Sequence, residues 1–254
     1  MTTHTRPILS PQGPAYYAAP RFLQSRRARE WWTVLHPPYT VLHLSLVTIG
    51  ACLSAPTNAV KLVATLGAFL LAVGVGAHSL DELHGRPLAT TIPGWQLVGA
   101  SILGLGGAVA LGVVGMIVVS PYLAGFIVVG FGVALAYNLE LFGGRLHTGT
   151  VLVLSWGAFP VLTAYFAQHG TLSAGAVGAA TFGALLTRIQ RQLSTPARVL
   201  RRRTRALDGT IEYLDGESRP ITRASLLAPL EDALRTLCWA GPVLALTLAA
   251  VRFS

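Results

Sequence analysis

The sequence predicts an all-α, polytopic membrane protein, a transmembrane bundle of about seven spans. Three observations predict it. Hydrophobic residues fill 52% of the 254 positions and charged residues only 11%, against roughly 25% charged residues in ordinary soluble domains. The mean hydropathy is +0.57. Apolar runs close to or beyond the ~20 residues that cross a ~30 Å hydrocarbon core recur along the chain, and lipid forces such runs to be helical because it cannot satisfy backbone hydrogen bonds. This composition excludes an ordinary soluble domain.

Reading the apolar runs between polar interruptions places spans at 35–55, 60–80, 95–119, 121–139, 149–168, 172–190 and 233–251. Ser120-Pro121 and the segment from His169 to Thr171 are short connections, so the helices on either side of each should form antiparallel hairpins. The run GLGGAVALGVVG in the third span suits close helix contact through small residues. Residues 1–34 form a basic segment with five arginines and no short apolar stretch of the kind found in a signal peptide, so the N-terminus is expected in the cytoplasm. All but two of the 19 lysines and arginines then fall on the cytoplasmic side, the exceptions being Lys61 and Arg252. Residues 35–190 make a six-span core and 233–254 a last span, which an odd count sends to the far side.

Between them, residues 191–232 form a basic cytoplasmic loop. Asp215-Gly216 between TIEYL and ESRPIT marks a hairpin with a two-residue turn, and SLLAPLEDALR is amphipathic. The segment belongs at the membrane surface, either as a solvated loop drawn to anionic lipid head groups or as a lid over a cytoplasm-facing site. A formal charge of +9 reflects this topology rather than nucleic-acid binding. Cys52 and Cys238 lie in apolar segments with neither metal-ligand nor disulfide spacing.

The chemistry-bearing residues gather at the cytoplasmic helix ends. In AHSLDELHGRPL, His78, Asp81 and Glu82 stand at i, i+3 and i+4 and share one helix face, with His84 and Arg86 following before Pro87 ends the helix. Ionisable groups at such depth are costly unless paired or bound to a ligand. The fourth span ends in AYNLELFGGRLHTG, which puts Tyr137, Asn138, Glu140, Arg145 and His147 at the same depth. His36 and His43, in the first span, read as helix-packing histidines.

These residues give the chain a partial resemblance to the UbiA-type prenyltransferase superfamily of integral membrane enzymes, from roughly residue 30 to 190. It rests on the aromatic, Pro-containing WWTVLHPPYTVLH, the acidic loop ending in GRPL and the Tyr-led loop after span four. His78 stands where that family has the first paired Asp, Asp81 matches the next, and Arg86 to Leu88 match its Arg-Pro-Leu. Tyr137 resembles the tyrosine of its Tyr-x-x-x-Lys element, with Leu141 in place of the lysine. The resemblance implies a helical bundle that transfers an isoprenyl group from a magnesium-bound prenyl diphosphate to an acceptor. Asp81 and Glu82 would then hold magnesium, and Tyr137 and Asn138 would line the diphosphate end or stabilise the allylic cation. The second Asp-rich element of the family is absent: the chain reads RIQRQLSTPARVLRRR, with no carboxylate before Asp208. Seven spans are also fewer than the family's usual nine. Arg86, Arg145, Arg188 and Arg191 are the guanidinium groups expected to bind the diphosphate in its stead.

Ligand chemistry alone opens another reading. His78, Asp81, Glu82 and His84 form a mixed nitrogen and oxygen set suited to zinc, iron or manganese, which would activate water against a lipid ester, amide or phosphate. A third reading is a non-catalytic membrane protein that binds a lipid or partner on the same scaffold.

Overall fold

The computed structural model describes residues 14–18, 20, 22–53 and 55–254, so the part of the basic N-terminal segment before Pro14 lies outside the described residues. Its elements are α1 (Arg26–Leu35), α2 (Pro37–Cys52), α3 (Ala59–Leu83), α4 (Gly94–Val118), α5 (Leu123–Asn138), α6 (Gly149–His169), α7 (Ala174–Arg202), β1 (Thr210–Glu212), β2 (Ser218–Pro220) and α8 (Arg223–Phe253). Wide π-type turns interrupt α3 at Leu70–Ala77 and α6 at Leu154–Ala158. Local sequence sets the boundaries. Asn58, Thr148, Ser173 and Thr222 accept the first free amides of α3, α6, α7 and α8. His36 takes a left-handed conformation (φ 46°) that ends α1 and lets the Pro37-Pro38 pair start α2.

The protein is an all-α membrane protein. The expected spans are helical, but the count of seven is corrected: among the described residues only α3, α4, α6 and α8 are both long and apolar enough to cross a membrane. At 16 residues, α2 and α5 would rise only about 24 Å at 1.5 Å per residue. Ten residues of α2 are buried, so it is a core helix of the bundle, packed against α3, α6, α7 and α8. Helix α7 does not stop near 190; it continues to Arg202 as an amphipathic helix through Pro196. The expected amphipathic segment and last span are one helix, α8, so the basic loop shrinks from 191–232 to 203–222. The two short connections lie where expected, the second closed by Gly170 at φ 69°. The hairpin also forms, with Ile211 opposite Arg219. Its turn, however, holds three residues between Tyr213 and Glu217, with Gly216 at φ 86°.

Apolar side chains point outward on the long helices, including Leu103, Ile117, Val128 and Leu246, as a lipid-facing surface requires. Inward, small residues let backbones meet. A Cβ on Gly104 of α4 would come within 2.6 Å of the Gly76 amide nitrogen and the Leu71 carbonyl of α3, so this crossing exists only with glycine. Gly104→Ala is expected to lower the melting temperature in detergent through an overpacking cost of about 1–3 kcal/mol. Gly99→Ala, on the same helix with nothing within 4 Å, is expected to leave it unchanged or raise it.

Candidate functional site

The arginine-rich ends of the helices converge at one end of the bundle, and the loop after α3 forms part of its rim. Glu82 is fully buried and organises this loop. Its carboxylate accepts from the Leu88 amide (2.9 Å), the Thr90 amide (2.9 Å) and the Thr90 hydroxyl (2.8 Å). Glu30 of α1 does the same for Thr91, accepting from its amide at 3.2 Å and its hydroxyl at 2.8 Å. Desolvation raises the Glu30 carboxyl, but the Thr91 hydroxyl, the Thr91 amide and Arg26 outweigh it and hold it below the usual range. Arg86, left-handed at φ 52°, donates to the Ile92 carbonyl at 2.6 Å and closes the loop on itself. Arg86, expected to bind diphosphate, thus closes the loop, and Glu82, expected to hold a metal, latches it.

Inside this rim sits an aromatic and imidazole cluster. His36, at the α1–α2 junction, packs edge-on against His78 with ring centres 4.6 Å apart and stacks beside Tyr39. The Tyr17 hydroxyl pairs with His36 Nδ1. Residues 14–18 reach the cluster as a strap across the mouth. The Pro14 carbonyl accepts from Arg202 (3.0 Å), the Tyr17 carbonyl from the Trp32 indole (2.9 Å) and the Ala18 carbonyl from the Thr33 hydroxyl (3.1 Å). Arg202 also donates to the Pro87 carbonyl at 3.3 Å, so one guanidinium joins strap and loop.

Asp81, one residue before the latch, differs from Glu82. It is partly buried and makes no direct hydrogen bond or ion pair among the described residues, though it lies in the field of Arg198, Glu82, His147 and Arg202. Opposite it, the Tyr137 ring stacks on His147 (4.3 Å between centres) and tilts against Trp156 (4.9 Å). His147 Nδ1 donates to the Tyr137 carbonyl at 2.9 Å, and Arg191 reaches the Tyr137 hydroxyl at 3.5 Å. Gly149 makes room for Arg191, since a Cβ there would lie 3.3 Å from its Nε.

The structure thus brings together His78, Asp81, Tyr137 and Arg191. Asn138 is buried next to them, with its amide donated to the Ala134 carbonyl at 2.7 Å. His84, Glu140, Arg145 and Arg188 stay exposed at the rim. The sequence reading missed Tyr17, Tyr39, Arg198 and Arg202. Arg191, Arg198 and Arg202 follow at i, i+7 and i+11, one helical face, and this spacing is readable once α7 is extended beyond 190. Arg201 lies off that face; it is held in a buried pair with Glu231 of α8, its Nη2 to Oε2 distance being 2.7 Å.

The metal sets read from sequence fit poorly. Magnesium between diphosphate oxygens needs several hard oxygen ligands, yet the Glu82 oxygens are committed to backbone and hydroxyl donors, which leaves Asp81 alone. Of the His78, Asp81, Glu82 and His84 set expected for zinc, iron or manganese, Glu82 latches the loop and His84 faces solvent, and among the described residues no group of three or more His, Cys, Asp and Glu side chains is placed to hold a metal ion.

Beside the polar mouth, α3, α4, α5 and α6 enclose an apolar crevice of about 280 Å³. It runs from Lys61 at the far end of α3 to Ala134 and Trp156, with Phe69, Phe126 and Phe159 in its walls. Trp156 is shared, lining the crevice and touching Tyr137. These features give a helical membrane protein with a basic mouth and an apolar groove that meet at Trp156. No protein-family model matches the chain, and no curated protein or solved structure matches it.

Proposed function

We propose that this chain is a UbiA-like membrane protein that binds a prenyl diphosphate at a cytoplasm-facing mouth and transfers its isoprenyl group to an acceptor. The observation that carries the reading is the arginine face of α7, aimed at Tyr137 and Asp81 where the apolar crevice ends. Arg191 and Arg198 take the diphosphate oxygens, since guanidinium binds phosphate bidentately and stays charged when partly desolvated. The isoprenoid tail lies in the crevice. In the reaction the allylic C–O bond breaks with its electron pair leaving on diphosphate, and the acceptor nucleophile bonds to the allylic carbon and loses a proton. Arginines placed at the leaving oxygens stabilise the charge that develops there. The faces of Tyr137 and Trp156 offer their negative quadrupoles to the allylic cation, and Asp81 contributes its charge to the field of Arg198 and Arg202.

Because the carboxylates do not fit a two-ion magnesium clamp, this head-group site works through arginine. Geranylgeranyl diphosphate is expected to raise the melting temperature of the detergent-purified protein by several degrees in excess EDTA, as saturating ligand does for a folded state. Geranylgeraniol, which lacks the diphosphate, is expected to raise it less. No shift, or a shift seen only with added magnesium, would sink the arginine reading. The commitment of Glu82 also favours a second reading, binding without turnover; stabilisation without diphosphate release in native membranes would establish it.

A further inference from the structure

His43, two helical turns below His36 in α2, is a buried histidine that the mouth does not use. It is 5% exposed. Its Nδ1 lies 3.0 Å from the Trp156 carbonyl, which can only accept, so Nδ1 carries the proton and Nε2 presents a lone pair. That Nε2 is fully buried and has no hydrogen-bond partner among the described residues. A buried acceptor without a donor is expensive, and in a native structure it calls for an explanation. A leucine or methionine would fill the same volume without that cost.

The surroundings supply one. His43 packs against Phe69, ring centres 5.5 Å apart, and bonds to Trp156. Both residues form the wall of the apolar crevice. Phe69 immediately precedes the π-type turn of α3, and Trp156 lies in that of α6; such turns recur at functional sites because they displace backbone and side chains from regular helix positions. The imidazole therefore stands directly behind the groove wall, between two irregular helix segments, with its lone pair unused.

We propose that His43 Nε2 is the polar anchor of a second subsite, accepting a hydrogen bond from the hydroxyl of an otherwise apolar alcohol or phenol that enters through the crevice. A hydroxyl is the matching chemistry. An imidazole lone pair behind an apolar wall, reached where Phe69 and Trp156 part, selects a donor, and an ether or ester of the same shape leaves Nε2 unpaired and brings an oxygen that only accepts. The inference does not rest on diphosphate binding, since the ligand is neutral and the arginines lie at the mouth.

Farnesol and farnesyl methyl ether form a matched pair of probes, with affinities measured in lipid nanodiscs and corrected for partition into lipid. The protein is expected to bind farnesol about tenfold more tightly than the ether. His43→Leu is expected to abolish the preference by weakening farnesol alone, while His43→Gln, whose amide offers both the donor for Trp156 and an acceptor, keeps part of it. The ¹⁵N resonance of His43 Nε2 is expected to shift with farnesol and not with the ether. Arg191→Gln is expected to leave the preference intact, which separates failure of this subsite from failure of the diphosphate reading. Equal affinity for the two probes, a preference that survives in a folded His43→Leu, or no saturable binding of farnesol would overturn the proposal.

Discussion

Glu82→Gln is expected to lower the melting temperature of the protein in detergent by on the order of 10 °C, while Asp81→Asn, one position earlier, leaves it within a degree or two. Both side chains are carboxylates at the end of α3, and their surroundings make the difference. Glu82 is fully buried and accepts three hydrogen bonds from Leu88 and Thr90. A glutamine whose carbonyl oxygen serves the two Thr90 donors turns its NH2 group toward the Leu88 N–H, so a donor faces a donor, and all three bonds lose their charged acceptor. Losing such bonds to a buried charged acceptor costs roughly 3 kcal/mol or more. Loosening the loop also frees Pro87, and with it one of the two carbonyls that hold Arg202. Asp81 has no direct hydrogen bond or ion pair to lose among the described residues, and removing its charge relieves a partly buried group. Its substitution is instead expected to show in ligand affinity, through its charge beside Arg198 and Arg202. A Glu82→Gln protein that melts with the wild type would refute the latch, and an Asp81→Asn protein that loses as much stability would make Asp81 structural as well.

The same pair shows how far this architecture can be read from sequence. Spacing at i, i+3 and i+4 correctly puts His78, Asp81 and Glu82 near one another, because helical geometry is local. What each carboxylate meets depends on the loop from 84 to 93, which curls back through left-handed residues at Gly85, Arg86 and Ala89. No periodicity announces that return. The span count failed for a related reason. Apolar runs show where helices lie, but not whether a 16-residue helix such as α2 is sheltered by its neighbours, and α2 is wrapped by four of them. In α7 the apolar signal fades near 190 because one face turns basic, although backbone geometry carries the helix on to Arg202. Stopping the helix there hid Arg198 and Arg202. Arg188, inside the apolar run, and Arg191, just past its end, were visible, and among the described residues only Arg191 of the two touches Tyr137. Turns were easier, since Pro121 and Gly170 act through their own backbone chemistry.

The double substitution Arg191→Gln with Arg198→Gln is expected to weaken geranylgeranyl diphosphate binding by roughly 100-fold or more, since each charge-assisted contact with phosphate contributes ~1.5–3 kcal/mol. These two are the guanidinium groups to remove. Arg201 is pinned by Glu231, and Arg202 holds the Pro14 and Pro87 carbonyls, so replacing either disturbs the α7–α8 contact or the strap before it reports on a ligand. Among the described residues Arg191 reaches only the Tyr137 hydroxyl at 3.5 Å and Arg198 only the Thr195 hydroxyl at 3.4 Å, weak contacts that a diphosphate would replace at little cost. The loss is therefore expected without a matching fall in melting temperature. Arg191→Lys is expected to recover only part of the affinity, because an ammonium carries the charge but not the planar fork. Salt provides an independent check, as rising ionic strength should weaken the diphosphate in the wild type more steeply than in the double variant. Isothermal titration in detergent reads all of these. Affinity unchanged in a folded double variant would move the anion off α7 and leave the crevice as a site for neutral lipids alone.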